Sequence, residues 1–220
     1  MLFPLSSRRA REEDAAAVDT AVADDGPIFP TKALKKFLTS LTSRESPVLL
    51  DLGPVVGSNV TFFGERLGCK IFVEDLFRDV DRHVREGRTE ALADFFGRRL
   101  TQQDESVDGV LAWNLLDFLD PKAAQALAAR LTRILRPDGA LLGFFGTLAT
   151  PDSRFTKYVI VDEENLRQRP YASGGKRRTA LQNRDIIRLF DGLRVSESFL
   201  LKTNVRETLF RKPRLAAARR

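Results

Sequence analysis

One cysteine and one histidine among 220 residues remove two kinds of chemistry at once. No disulfide framework can form within the chain. A zinc centre built from protein side chains needs three or four ligands, so no metal site is expected, and Cys69 and His83 read as structural. Long apolar runs are also missing. None approaches a membrane span, and the opening Met-Leu-Phe-Pro-Leu is too short for the apolar core of a signal peptide before charges begin, so a cytoplasmic location without a membrane partner is expected. No aromatic-basic RNA motif accompanies the net charge of +6. That charge is unevenly placed, with 13 Lys and Arg against 4 Asp and Glu from Lys176 onward, and a net −3 before it. Nucleic acid is therefore a less favoured partner, because a solvated basic face accounts for the skew equally well.

What is present is enough chain for one α/β domain with a full core. Its centre is residues 48–57, Val-Leu-Leu-Asp-Leu-Gly-Pro-Val-Val-Gly, where an apolar branched run ends in an acid and two glycines. A buried parallel strand delivers a tight turn to a ligand in this way. Glycine at 53 and 57 lets backbone N–H groups approach a bound molecule, and Asp51 can accept hydrogen bonds from it. A helix follows over 58–67, capped by Ser58 or Asn59 and stopped by Gly68, and a strand over 69–74 ends in Glu74 and Asp75. A carboxylate about 20 residues beyond the glycine turn can take both hydroxyls of a ribose. The pattern fits a nicotinamide cofactor and other adenosine-containing cofactors alike.

Residues 1–27 lack a sustained apolar face and read as a mobile arm or a lone peripheral helix; the domain proper spans 28–212, and 213–220 form a basic tail. Helical spacing of Leu34, Phe37, Leu38 and Leu41 predicts a helix over 31–43. Further helices are expected at 76–86, 121–135 and 183–190. Strands are expected at 109–114 and 140–145, and a short strand over 91–94 is preferred to a helix there. Antiparallel strands over 193–201 and 206–211 close the chain. The alternation predicts a Rossmann-like, doubly wound α/β fold: a mostly parallel seven-stranded sheet with an antiparallel C-terminal strand. Residues 146–181 are long for a connection and are expected to form a substrate-side insertion.

At Leu-Arg-Pro-Asp-Gly, residues 135–139, and at Asp-Glu-Ser-Val-Asp-Gly-Val, residues 104–110, the chain resembles the class I S-adenosylmethionine-dependent methyltransferases. The likeness covers about 31–146, with its motifs in the family's order. It implies S-adenosyl-L-methionine as cofactor and methyl transfer to an O or N acceptor, more plausibly a small molecule than RNA. By resemblance, Asp51, Gly53 and Gly57 match the family's glycine loop, and Val55 stands where the family has its middle glycine. Glu74, preferred over Asp75, matches the ribose acid. Asp94 and Phe95 fall beside the adenine, and Asn114 and Leu115 line the cofactor's reactive end. Asp117, just beyond the fourth strand on the ligand side of such a sheet, is a general-base candidate. Tyr158, the second catalytic candidate, lies in the segment where the family recognises substrate. Trp113 reads as core. Val55 also opens an alternative, a degenerate relative that binds cofactor or partner without transferring a methyl group.

Overall fold

In the computed structural model, residues 26–147, 155–171 and 181–214 are described. Nine strands and six α-helices occur among them. In chain order these are β1 (Ile28–Pro30), α1 (Leu34–Thr42), β2 (Val48–Asp51), α2 (Gly57–Thr61), β3 (Lys70–Val73), α3 (Leu76–Arg85), α4 (Leu92–Arg99) and β4 (Val107–Trp113). There follow α5 (Pro121–Ile134), β5 (Leu135–Gly146), β6 (Thr156–Ile160), β7 (Asn165–Pro170), α6 (Asn183–Leu189), β8 (Arg194–Leu200) and β9 (Val205–Arg211).

Six strands form the main sheet in the order β3-β2-β4-β5-β9-β8. β2, β3, β4 and β5 run parallel, and β9 runs antiparallel to both neighbours. Successive residues of the central strands serve opposite faces. Leu49, Leu111 and Leu142 pack with α1 and Phe63, whereas Leu50, Val110 and Leu141 pack with α3, α4, α5 and α6. Burial on both faces is what makes these strands continuous apolar runs rather than alternating ones. α1 approaches β4 closely because Gly109 has no side chain: a Cβ there would lie 2.6 Å from Leu41 Cδ2 and 3.0 Å from Phe37 Cζ.

The expected strand over 91–94 is instead a short 3₁₀ turn leading into α4, so the sheet has six strands where seven were expected, and β3 forms its edge. Leu92 and Phe96, four residues apart, are both fully buried, which is a helical rather than a strand period. Arg130 of α5 then takes the Leu100 and Gln102 carbonyls. Those carbonyls turn toward a guanidinium instead of a ladder.

A second, three-stranded antiparallel sheet, ordered β1-β7-β6, is made by the β6–β7 hairpin of the long connection after β5 and by β1 from ahead of α1. Its hairpin turns at Asp162, whose Oδ1 accepts from Glu164 N at 2.8 Å and Asn165 Nδ2 at 3.0 Å, and these donors lower the Asp162 pKa. The expected N-terminal arm lies outside the described residues except at Gly26 and Pro27, where the Pro27 carbonyl accepts from Gln168 N. Residues 172–180 also lie outside them, as does the tail beyond Arg214.

Candidate active site

The glycine loop leaves β2 beside the ends of β3 and β4. Asp51 closes β2 and is buried. Its Oδ1 accepts from Gly53 N at 2.9 Å and from Trp113 Nε1 at 2.6 Å, and Oδ2 takes no hydrogen bond from a described residue. Burial pushes the Asp51 pKa up to about 6, with the nearby Asp75 adding to the rise and the two donors opposing it. Gly53 is glycine for a reason the sequence does not reveal. A Cβ would stand 2.8 Å from Trp113 Cδ1 and 2.9 Å from Nε1, so the close neighbour is an indole.

Trp113 ends β4 with a positive φ of 48°, a conformation costly for a bulky side chain and held by its surroundings. Tyr158 of β6 stacks on it at 5.1 Å and 9°, and Phe144 of β5 lies parallel to it at 6.0 Å. Sequence reasoning placed Trp113 in the core, which is where its ring sits, but did not see that its N–H serves Asp51. The sole indole in the chain, one strand from an acid that ends β2, was the available signal.

Glu74 and Asp75 diverge after β3. The Glu74 carboxylate is already engaged by the Arg99 guanidinium and by Gln102 Nε2 at 2.8 Å, and its carbonyl takes Arg99 Nη2 at 2.9 Å. Asp75 has a left-handed φ of 41°, and its N–H donates to the Gly53 carbonyl at 3.1 Å. Its Oδ1 is buried without a hydrogen-bond partner among the described residues. Desolvation raises the Asp75 pKa against the pull of the Arg78 backbone N–H and guanidinium.

Gly57 opens α2, and nothing lies within 4 Å of where its Cβ would be, while Val55 in the same loop is 59% exposed. Asn59, not singled out from the sequence as a site residue, is buried. Its Nδ2 donates to the Tyr158 carbonyl and its Oδ1 accepts from Ile160 N, both at 2.8 Å. One amide therefore ties β6 to the helix that follows the glycine loop. A second tie comes from the buried Glu207 of β9, which accepts from Thr31 Oγ1 and from Lys32 N.

The remaining sequence candidates scatter. Asp94 is exposed in the first turn of α4, and Phe95 packs on His83 at 4.8 Å. Asn114 and Leu115 are buried immediately after Trp113, where a short 3₁₀ turn begins. Asp117, in that turn, is fully buried and accepts from Gly146 N at 2.7 Å, so it joins the ends of β4 and β5. Tyr158 is buried too, and burial followed by the Asp117 charge raises its pKa well above the usual phenol value. Phe155, Phe77, Phe118 and Tyr171 form a second aromatic cluster at the start of α3, with Phe77 and Phe155 stacked at 3.7 Å. Among the described residues no three His, Cys, Asp or Glu are grouped to hold a metal ion, and no helix is long and apolar enough to cross a membrane.

No protein-family model matches the chain, and no curated protein is found to be related to it. Solved structures do match. A chain in the complex between the Haloferax volcanii Trm112 methyltransferase activator and a candidate methyltransferase is similar at 13% identity and a TM-score of 0.51, over 96% of this chain and 100% of that one. The PH0226 protein of Pyrococcus horikoshii OT3 is similar at 16% identity and 0.50, over 94% and 92%. The 1,6-didemethyltoxoflavin-N1-methyltransferase of Burkholderia thailandensis, solved with S-adenosylhomocysteine, is similar at 17% identity and 0.49, over 97% and 93%. The likeness is one of fold: this chain has the Rossmann-like α/β fold that those structures share.

Proposed function

We propose that this chain is an S-adenosylmethionine-dependent methyltransferase acting on a small O or N acceptor. One observation carries the reading. Two carboxylates flank Gly53 at the C-terminal ends of adjacent parallel strands: Asp51 Oδ2 takes no hydrogen bond from a described residue, and Asp75 Oδ1 is buried without one. Open α/β sheets bind ligands outside those strand ends. A buried acceptor without a donor is costly and marks a place where a ligand supplies the hydrogen bond.

The residues fit the group. Asp51 Oδ2 would face its cationic part and Asp75 Oδ1 a ribose hydroxyl. Asp75 replaces Glu74 in this role, because Glu74 is committed to Arg99 and Gln102. When bound, the cofactor supplies a methyl group already activated for in-line displacement. The protein's part is to hold both reactants in line and exclude water, which by itself can account for much of the acceleration. Trp113, Tyr158 and Phe144 would form a rigid apolar wall for this purpose. Asp117 holds the Gly146 N–H and so positions β5 rather than moving a proton, and Tyr158 acts as a wall rather than as a base. The small acceptor would enter under the β6–β7 hairpin, consistent with the Asn59 tie that fixes this hairpin beside the loop.

Calorimetric titration with S-adenosylmethionine and S-adenosylhomocysteine, with NAD as control, tests the reading. Saturable binding of the first two is expected, weakened roughly tenfold or more by Asp75→Asn through loss of one charge-assisted hydrogen bond. Glu74→Gln is expected to retain affinity. Folded protein that binds neither compound would sink the proposal. Exposed Val55, at the position of a loop glycine, favours a second reading in which the cofactor is bound without methyl transfer. Burst-phase assays of methyl transfer across acceptor classes separate the two.

A further inference from the structure

At the opposite end of the sheet, where β5 and β8 begin and β9 ends, a cavity of about 430 Å³ is lined by Asp138, Arg194, Arg211, Lys212, Pro213 and Arg214. Four cations there face one carboxylate. Arg194 and Arg211 are directly opposite each other on β8 and β9. Side chains at such a pair leave the same face of the sheet, and like charges in that arrangement repel.

The other charges of the cavity have partners. Arg214 pairs with Asp138, and Lys212 Nζ lies 3.1 Å from Glu105 Oε1. Arg44 and Arg136, a short way along the same sheet end, are matched by Asp108. Neither Arg194 nor Arg211 forms an ion pair with a described residue. Arg211 is half-buried and donates through Nη1 to the Asp138 carbonyl at 3.2 Å; desolvation lowers its pKa, the Asp138 charge opposing the fall and Arg44 adding to it. Asp138 is already taken by Arg214, and two adjacent guanidiniums that have no ion-pair contact of their own are stabilised by an oxyanion that accepts from both. Phosphate oxygens match the guanidinium fork.

We propose that this cavity binds phosphate groups, carried by a nucleic-acid backbone or by a free phosphorylated ligand. The site is remote from Asp51 and does not depend on the cofactor reading.

The test uses the full chain in two titrations at low ionic strength: anisotropy of a labelled single-stranded RNA, and calorimetry with inorganic pyrophosphate. Arg194 is exposed, so Arg194→Ala keeps the fold, and thermal melting verifies this. It is expected to weaken binding roughly fivefold to tenfold, and the Arg194→Ala/Arg211→Ala variant further. For RNA, the slope of log affinity against log salt should fall by about 1.4 when both contacts are lost. RNA binding that Arg194→Ala weakens supports the proposal with a nucleic-acid source. Pyrophosphate binding alone, lost in the same variant, supports it with a free ligand. No affinity of the wild type for either probe overturns it. So does equal weakening by Lys122→Ala, a remote exposed cation, since diffuse charge would then be the cause. If the double variant unfolds, Arg194→Ala decides by itself.

Discussion

Asp51 and Asp108 are buried aspartates on neighbouring strands of one sheet, at its two ends, and they are treated in opposite ways. Asp108 accepts from Val48 N at 2.8 Å and from Arg136 Nη1 at 3.0 Å, and Arg44 Nη1 lies 3.2 Å from its other oxygen. It joins β4 to the start of β2, and the Arg44 guanidinium goes on to the Pro137 carbonyl. Asp51 has no guanidinium. Its donors are one backbone N–H and one indole N–H on a single oxygen, and it is pushed up toward neutrality. The chain satisfies its acid where the strands enter the core and leaves it under-satisfied where they emerge. A buried charge without full compensation costs stability, and such a cost is often located at a functional site.

The largest effect expected from breaking this contrast is at Asp108. Asp108→Ala strips an acceptor from two guanidiniums and a backbone N–H. The loss should be about 3 kcal/mol, moderated because both arginines reach solvent. In a chain of this length that corresponds to a fall in Tm of roughly 6–12 °C, read by thermal melting, with cofactor affinity unchanged in the protein that remains folded.

Asp51→Asn should do the reverse. An amide Oδ1 still accepts from Gly53 and Trp113, so the fold loses nothing and the buried charge is removed. Melting at pH 7 should show equal or higher stability, while calorimetry shows cofactor affinity reduced at least tenfold. A loss of both would mean that Asp51 is structural.

The pH dependence follows the same acid. Between 3.8 and about 6 the native state keeps a proton that the unfolded chain has released, so the Asp51 contribution to stability is greatest below 3.8 and declines as pH rises through 6. Affinity for a cationic cofactor has the opposite sign: it should be full above pH 6 and decline below it. Paired denaturation and binding profiles check this, and both dependences should flatten in Asp51→Asn.

Gly53→Ala is expected to cost less stability than Asp108→Ala. The new Cβ displaces the Trp113 ring, costing about 1–2 kcal/mol by overpacking. Trp113 is the sole tryptophan, so its fluorescence reports the displacement directly. An unshifted spectrum with lost cofactor binding would instead mean that the glycine faces the ligand.

Much of the frame was legible in local pattern. Residues 48–50 of β2, 109–113 of β4 and 140–146 of β5 are continuous apolar runs because both faces are covered, and α1 and α5 carry helical periods. Residues 91–94 were misread as a strand because Ala-Leu-Ala-Asp-Phe-Phe fits either period over a few residues, and only packing of Leu92 and Phe96 with α3 and α5 selects the helix. The β1-β7-β6 sheet was not foreseen because three-residue β1 has no pattern of its own; it is a strand only because β7 pairs with it.

Within the candidate site, Asp51, Gly53 and the acidic pair after β3 were readable because strand, turn and acid are consecutive features of the chain. The choice between Glu74 and Asp75 was not, since Arg99 and Gln102 lie some 25 residues away in sequence and reach only one of them. The reason for Gly53, an indole brought from another strand, was equally invisible. By itself the sequence determined the central strands β2 to β5, most of the helices between them and the position of the glycine loop, because these depend on residues close together along the chain. Tertiary structure alone decided which carboxylates are neutralised and which are left open, because that depends on which distant donors the folded sheet brings within 3 Å.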